Sequence, residues 1–517
     1  MTQKILRMEG KQRVCLHVLL GALLLLWSVA ALAQTEQPLE EQLPRGCRRG
    51  TLPAGKMLRR SAPFIEKGEI DVSLYRGDRR QLVVLASFSD RTFRDTEAET
   101  LELWDKLLNQ KGYKEVPYVG SVRDYFYQQS YGQFRLTFDV QYVEVGKASN
   151  YASTNENDEN SQYLVDDAME ILLTRDIDWS LYDWNGDGEV EQLLFVYAGR
   201  GMNDGWTDCI WPHQWWLSRH LDQTRTDGSF RQECTFTCGG KTYTVDCYCA
   251  VPELRADAHP LGFLCHEYSH CFGFPDYYDW RGGVVGNWDL MDMGYFAEGG
   301  SHPVGYSAHE RMLMGWLTPI ELTEPTQVTD MPALSDEPVA YIIRNDGHPD
   351  EFYMVENRQS EGWDAALPGS GLLVFHVDYD PLYWFSFSGM PNSGTISRYT
   401  IVPANGRGQT AYQAGWAYPY GENGELTDSS NPAATLLNPN SEGSYVMGKP
   451  LTNMAVTDGW ASFDFMDGTS GIEDMEASEP SAEAASVGWY TLSGMRLSER
   501  PQQQGLYIRN GRKVLVK

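Results

Sequence analysis

His266 and His270, four residues apart with Glu267 beside the first, are the residues of this 517-residue chain whose types and spacing most clearly define a chemistry. An α-helix turns about 100° per residue, so side chains four apart share one face about 6 Å apart. Two imidazoles at that spacing can grip one metal ion. Glu267 leaves the helix beside them and can hold a water for deprotonation without being a ligand itself, which is the zinc-hydrolase use of H-E-x-x-H. Gly273 can take the conformation that stops a helix and Pro275 cannot continue one, so the chain turns sharply. That bend can return Asp276 to the ion as a third ligand, with Asp279 as a fallback, leaving a fourth position for water. The competing reading is an ordinary buried helix whose histidines bond to backbone. It must explain a carboxylate next to the apolar run Leu261-Gly262-Phe263-Leu264-Cys265, where an unpartnered charge is costly.

A second constellation is Asp183-Trp184-Asn185-Gly186-Asp187-Gly188-Glu189-Val190-Glu191. Oxygen ligands at Asp183, Asn185 and Asp187, a glycine at the sixth position and Glu191 at the ninth match the first half of a calcium loop. The twelfth position is Leu194, where an EF-hand requires Glu, so the expectation is a partial calcium loop leading into a strand over 192–197. A polar turn that needs no ion is the alternative. Cys234, Cys238, Cys247 and Cys249 flank Gly239-Gly240 in an expected hairpin, where local disulfides or a second, Cys₄ zinc site are the readings. Cys265 and Cys271 read as small buried apolar residues. His213 reads as either close to the cleft or simply buried, His376 and Asp378 as structural, and Tyr306 as helix-entry packing or an added donor to the oxyanion.

These groups need a scaffold. The apolar run Gln81–Phe88 is typical of a strand covered on both faces. Leu101–Leu108 has a helical pattern, Ser121 and Asp124 form a capping box for a helix carrying Tyr125 and Phe126, and Phe134–Tyr142 alternates as a half-buried strand. Leu164, Val165, Ala168, Ile171 and Leu172 make one helical stripe. A helix is expected over Ser307–Trp316. From Glu321 onward short alternating strands are separated by Pro, Gly and Asp, as in a β-sandwich. The fold class expected is therefore α+β: a mixed α and β domain followed by an all-β sandwich.

The length calls for more than one core. The N-terminus carries Lys4, Arg7, Lys11 and Arg13, then an apolar run from Val14 to Ala33 ending in Ala31-Leu32-Ala33, which reads as a signal peptide with an uncleaved membrane anchor as the alternative. No other run is long enough to span, so the mature chain is expected to have no stable membrane span. The expected organisation is signal peptide 1–33, pro-segment or lead-in 34–77, catalytic domain 78–320, β-sandwich 321–467, linker 468–486 and a C-terminal segment 487–517. A formal charge of −29 repels nucleic acid and anionic membranes and excludes them as partners.

The chain resembles the immune inhibitor A-like metallopeptidases, secreted zinc proteases of metzincin type. The resemblance runs from about Gln81 to Phe465 and rests on the first strand, Gly120–Phe126, the Asp183 loop, Ile210-Trp211-Pro212-His213, the zinc helix with Pro275-Asp276, Trp288-Asp289-Leu290-Met291 and Trp363-Asp364-Ala365. It implies a metzincin-like domain with a twisted mixed sheet and long helices, Met291 as the Met-turn residue that floors the zinc site, and His266, His270 and Asp276 as ligands. The C-terminal segment is similar to sorting domains read by the type IX secretion system, implying export to the cell surface or medium through N- and C-terminal signals. Cys47, upstream of the catalytic region, is a candidate latency thiol, because a soft thiolate can take the open zinc position; a disulfide is its other reading.

The function expected is a secreted zinc endopeptidase, made as a zymogen, that hydrolyses extracellular proteins or peptides. Glu267 serves as general base and zinc is the catalytic ion, with structural calcium. A surface adhesin with a vestigial site and a zinc esterase or amidase are the rival readings.

Overall fold

The computed structural model describes residues 48–49, 70–152, 160–217, 234–279, 281–384 and 390–468, and short strands within 489–516. The expected signal peptide, Cys47 and all but the first residue of the expected linker lie outside these residues. Two compact units divide the chain, Met1–Gly468 and Thr469–Lys517.

The first unit is built on a six-stranded sheet. Its strands are β1 (Arg48–Arg49), β2 (Gly77–Phe88), β3 (Phe134–Val145), β5 (Leu193–Arg200), β6 (His213–Trp216) and β9 (Cys247–Leu254), in the spatial order β1-β6-β9-β5-β2-β3. The remaining strands of this stretch, β4 (Glu189–Val190), β7 (Cys234–Cys238) and β8 (Lys241–Val245), form a small sheet of their own. Strands β3, β2, β5 and β9 run parallel, and β6 alone is antiparallel to its neighbour β9. The apolar run of β2 is buried from Gln81 to Phe88, as a strand covered on both faces must be. At the sheet edge, β3 keeps the expected alternation through Phe134, Leu136 and Phe138, but Val140 and Tyr142 are only half-buried and the buried face passes to Val143 and Val145.

Helices α1 (Glu97–Asn109), α2 (Val122–Gln129) and α3 (Ser161–Leu172) pack against β3. Thr96 with Glu99 and Ser121 with Asp124 cap the first two through reciprocal capping boxes. Helix α4 (Leu261–Cys271) is buried at every residue. Helix α5 (Ala308–Leu313) is shorter than the helix expected to Trp316, because Gly315 takes φ +66° and turns the chain away.

The β7–β8 hairpin turns at Gly239-Gly240, with φ of +58° and +82°, as the sequence suggested. Cys247 and Cys249 do not belong to it. They sit on β9 in the large sheet, so the expected grouping of four cysteines around one hairpin is corrected.

Two further sheets follow. One joins β10 (Ile320–Glu321), β12 (Tyr341–Arg344), β13 (Glu351–Arg358), β14 (Gly371–Asp378) and β15 (Tyr399–Ile401); the other joins β11 (Thr326–Met331), β16 (Leu451–Thr457) and β17 (Trp460–Phe465). Strand side chains alternate between faces, and β13 and β14 use both. Tyr353, Val355, Leu372 and Val374 join an apolar cluster with Val328, Phe463 and Phe465 of the three-stranded sheet. Phe352, Met354, Leu373 and Phe375 point the other way, into the core that also holds β2, β5 and α4. The five-stranded sheet is thus bonded by burial to the N-terminal core, and no break in packing falls at residue 320.

The second unit contains a four-stranded antiparallel sheet of β18 (Trp489–Tyr490), β19 (Arg496–Leu497), β20 (Gly505–Arg509) and β21 (Arg512–Val516). Among the described residues no helix is long and apolar enough to cross a membrane.

Candidate metal centre

Helix α4 places His266 and His270 one turn apart, with ring centroids 4.7 Å from each other. Each ring is oriented by a backbone carbonyl: His266 Nδ1 donates to Leu290 O at 2.9 Å and His270 Nδ1 donates to Phe274 O at 2.8 Å. With the proton fixed on Nδ1, the Nε2 lone pairs are left for a cation. Gly273, at φ +107°, makes the turn that brings Phe274 under His270 and carries the chain back to Asp276.

Asp276 Oδ1 then lies 3.2 Å from Nε2 of His266 and 3.2 Å from Nε2 of His270. Two ligands about 2.1 Å from a zinc ion at a tetrahedral angle stand about 3.3 Å apart, so these two separations among the three atoms match two edges of a zinc coordination polyhedron. All three are buried and make no hydrogen bond. Two imidazole lone pairs and a carboxylate oxygen facing one another in a dry interior repel unless a cation sits among them, so the donor set fits zinc. Burial pushes the Asp276 carboxyl up, but when the two imidazoles are protonated they outweigh it and hold it at about 2; between neutral imidazoles a metal cation would supply that positive charge. Burial pushes the His270 imidazole down, which favours the neutral form a ligand needs. Glu267, wholly buried, brings a carboxylate oxygen within 4.8 Å of donor atoms of both histidines. Asp276 Oδ1, 3.2 Å from each Nε2, is the second buried carboxylate against the pair.

The stretch expected to floor the site follows. The stretch Trp288–Gly294 is pinned by its own carboxylates: Asp289 Oδ1 accepts from Met291 N at 2.8 Å, and Asp292 Oδ2 accepts from the amides of Val284, Val285 and Gly286. Met291 is fully buried, and its carbonyl accepts from Tyr277 N at 2.9 Å, tying the floor to the residue after Asp276.

Other residues singled out in the sequence have different fates. Asp279 is engaged by Arg281, whose Nε donates to it at 2.7 Å, and is not the third ligand. Tyr306 is buried and bonded to Ser269, which makes it packing. His213, on β6 between β1 and β9, is buried, held by Trp211 O at 2.6 Å, and faces Ser161 and Tyr248. His376 pairs with Glu351 at 2.7 Å and Asp378 with Arg398, as structural residues do.

The calcium expectation for Asp183, Asn185, Asp187 and Glu191 finds no support. Asp183 spends both oxygens on the amides of Gly186 and Gly188, and Lys241 Nζ lies 2.5 Å from its Oδ2. Asn185 and Asp187 bond to each other, and Glu191 accepts from Trp184 N. An ammonium and the loop's own peptides fill the role assigned to a cation.

The sequence reading missed four groups. The carbonyls of Leu290 and Phe274 carry no residue signature, although Phe274 lies within the motif's own turn. Tyr295 lies against His266 at a centroid distance of 4.3 Å, and its place just after Trp288–Gly294 was the available signal. Tyr399 reaches the floor from β15, and nothing local marks it.

Residues 77–315 match the family model described as Immune inhibitor A peptidase M6, catalytic domain, a span that begins with β2 and ends just past α5. The chain carries a peptidase M6 domain. Within residues 77–315 lie the two histidines, Glu267, Asp276 and Met291. The chain is 25% identical over 286 residues to Immune inhibitor A of Bacillus thuringiensis subsp. alesti, covering 46% of this chain and 40% of that one. It is 26% identical over 291 residues to the Pre-pro-metalloprotease PrtV of Vibrio cholerae serotype O1 (strain M66-2), covering 47% of this chain and 30% of that one. The chain therefore spans less than half the length of these relatives.

Proposed function

We propose that this protein is an exported zinc-dependent endopeptidase that cleaves peptide bonds of extracellular proteins. The observation that carries the reading is the 3.2 Å separation of Asp276 Oδ1 from both imidazole Nε2 atoms. His266, His270 and Asp276 would hold the ion, with Met291 beneath them. When bound, zinc supplies Lewis acidity that lowers the pKa of a coordinated water and polarises a carbonyl. Glu267 takes the proton of the attacking water and returns it to the leaving amine. Leu290 O and Phe274 O keep the imidazoles in the ligating tautomer throughout. The name metalloprotease borne by the Vibrio relative supports peptide hydrolysis over ester or small-amide hydrolysis.

Export through the N-terminal apolar run and a type IX route through the C-terminal segment belong to the same reading. So does latency through Cys47. What supports it is that β1, which begins at the next residue, lies beside β6 with Arg48 opposite His213 and reaches α4. Mass mapping of the proform tests this, since a Cys47 disulfide would end the latency idea.

The direct test of the proposed function compares wild type with Glu267→Gln on an unfolded protein substrate, with zinc measured in both. The expected result is equal zinc content with cleavage lower by several orders of magnitude in the variant. Equal cleavage would remove the role given to Glu267.

A further inference from the structure

Tyr399 and Asn392 lie well beyond the end of the M6 domain, yet they touch both arms of the metal centre. On one arm, the ring of Tyr399 stacks on Tyr277 at a centroid distance of 3.9 Å, and Asn392 Nδ2 donates to Tyr277 O at 2.7 Å. Tyr277 N is already bonded to Met291 O at 2.9 Å. The residue following Asp276 is thus held at its amide, its carbonyl and its ring, and because the peptide unit is planar this fixes the backbone that presents the Asp276 carboxylate.

On the other arm, Tyr399 OH lies 2.9 Å from Asp289 Oδ2, and Asp289 Oδ1 holds Met291 N at 2.8 Å. The residue spanned by that carboxylate is Leu290, whose carbonyl orients His266. Asn392 commits its remaining amide hydrogen to Tyr399 O at 2.8 Å and its oxygen to Tyr399 N at 2.9 Å, so the two residues form one bracket. Tyr399 and Asn392 are themselves fully buried.

We propose that Tyr399, braced by Asn392, is a positioning residue for the metal-ligand set, through which the five-stranded C-terminal sheet holds the Asp276 and His266 arms in register from outside the M6 domain. The inference rests on the metal reading above. Ligands must be kept within about 0.5 Å of their working geometry, and loss of an outer partner of a ligand lowers metal affinity about 10- to 100-fold. The sheet is then part of the active-site scaffold, and a role in binding something else is not needed to explain its packing.

The test uses full-length Tyr399→Phe, which keeps the stack and removes the hydroxyl, and Tyr399→Leu, which removes both. Val374→Ala, on the opposite face of the same sheet, serves as a control for general loosening. Zinc affinity by chelator competition and the visible absorption of the cobalt(II)-substituted protein are read on folded material. The expected result is zinc affinity weaker by about 10-fold in Tyr399→Phe and more in Tyr399→Leu, with altered cobalt bands, and neither change in Val374→Ala. Wild-type affinity and spectrum in both Tyr399 variants, or equal losses in Val374→Ala, would overturn the inference while leaving the metal reading intact. Absence of zinc and cobalt binding by wild type would overturn both.

Discussion

Arg358 grips Asp364 with two parallel hydrogen bonds, Nε to Oδ2 at 2.8 Å and Nη2 to Oδ1 at 2.7 Å, in complete burial. The same guanidinium reaches Glu356 at 3.1 Å and the carbonyls of Trp288 and Gly305, while Glu356 accepts from Ala308 N at 2.6 Å. A charge on β13 therefore clasps the chain on both sides of the metal floor. Breaking a buried pair by removing one partner leaves the other charge uncompensated, and Arg358→Ala is expected to lose about 3–5 kcal/mol of stability. Arg358→Lys should lose most of that, because an ammonium cannot reproduce the two-pronged contact. Denaturant unfolding measures both, and a wild-type midpoint in Arg358→Ala would refute the claim.

Tyr295 against His266 is the second expectation. Tyr295→Phe should keep wild-type zinc affinity and Tyr295→Ala should weaken it about tenfold, since the ring wall that limits the imidazole's swing is lost. Equal affinities in the two variants would show the contact to be incidental.

His309 gives a pH expectation. Both its ring nitrogens are buried without a hydrogen-bond partner among Phe352, Tyr379, Trp384 and Tyr399. Burial pushes its imidazole from 6.5 down to about 3. The unfolded chain binds this proton below about pH 6.5 and the native chain only near pH 3, so stability contributed by the neutral ring is present above 6.5 and is lost as the pH falls through that window. His259, pushed down to about 4 chiefly by burial, acts in the same direction. His309→Phe should flatten the loss of stability between pH 6 and pH 4, and by removing unsatisfied polar atoms should gain about 1–3 kcal/mol at acid pH. Thermal unfolding across that range decides it; an unchanged slope would count against the assignment.

For the Asp183 loop, millimolar calcium should leave the melting temperature of wild type unchanged, whereas Lys241→Met should lower it by leaving the buried Asp183 carboxylate without its ammonium. A calcium-induced rise in wild type would restore the reading set aside above.

What could be read from the sequence was local. The two-histidine helix motif, its stop at Gly273 and the return to Asp276 fit within eleven residues, and the Ser121 cap and the β2 run follow local patterns that need no tertiary information. The calcium reading gained no support because the group beside Asp183 is Lys241, on a different strand. The cysteine grouping failed because spacing says nothing of the sheet to which a strand belongs: Cys234 and Cys247 lie on either side of the switch from β7–β8 to β9. Tyr399 and Asn392 were invisible for the same reason, since their work is done on Tyr277 and Asp289, more than a hundred residues away.

The most direct measurement is the zinc stoichiometry of the folded full-length chain by native mass spectrometry, set beside His266→Ala, His270→Ala and Asp276→Ala. The expected result is one zinc per wild-type chain and loss of that zinc in each variant. A wild type without zinc, or zinc retained undiminished in all three variants, would contradict the account.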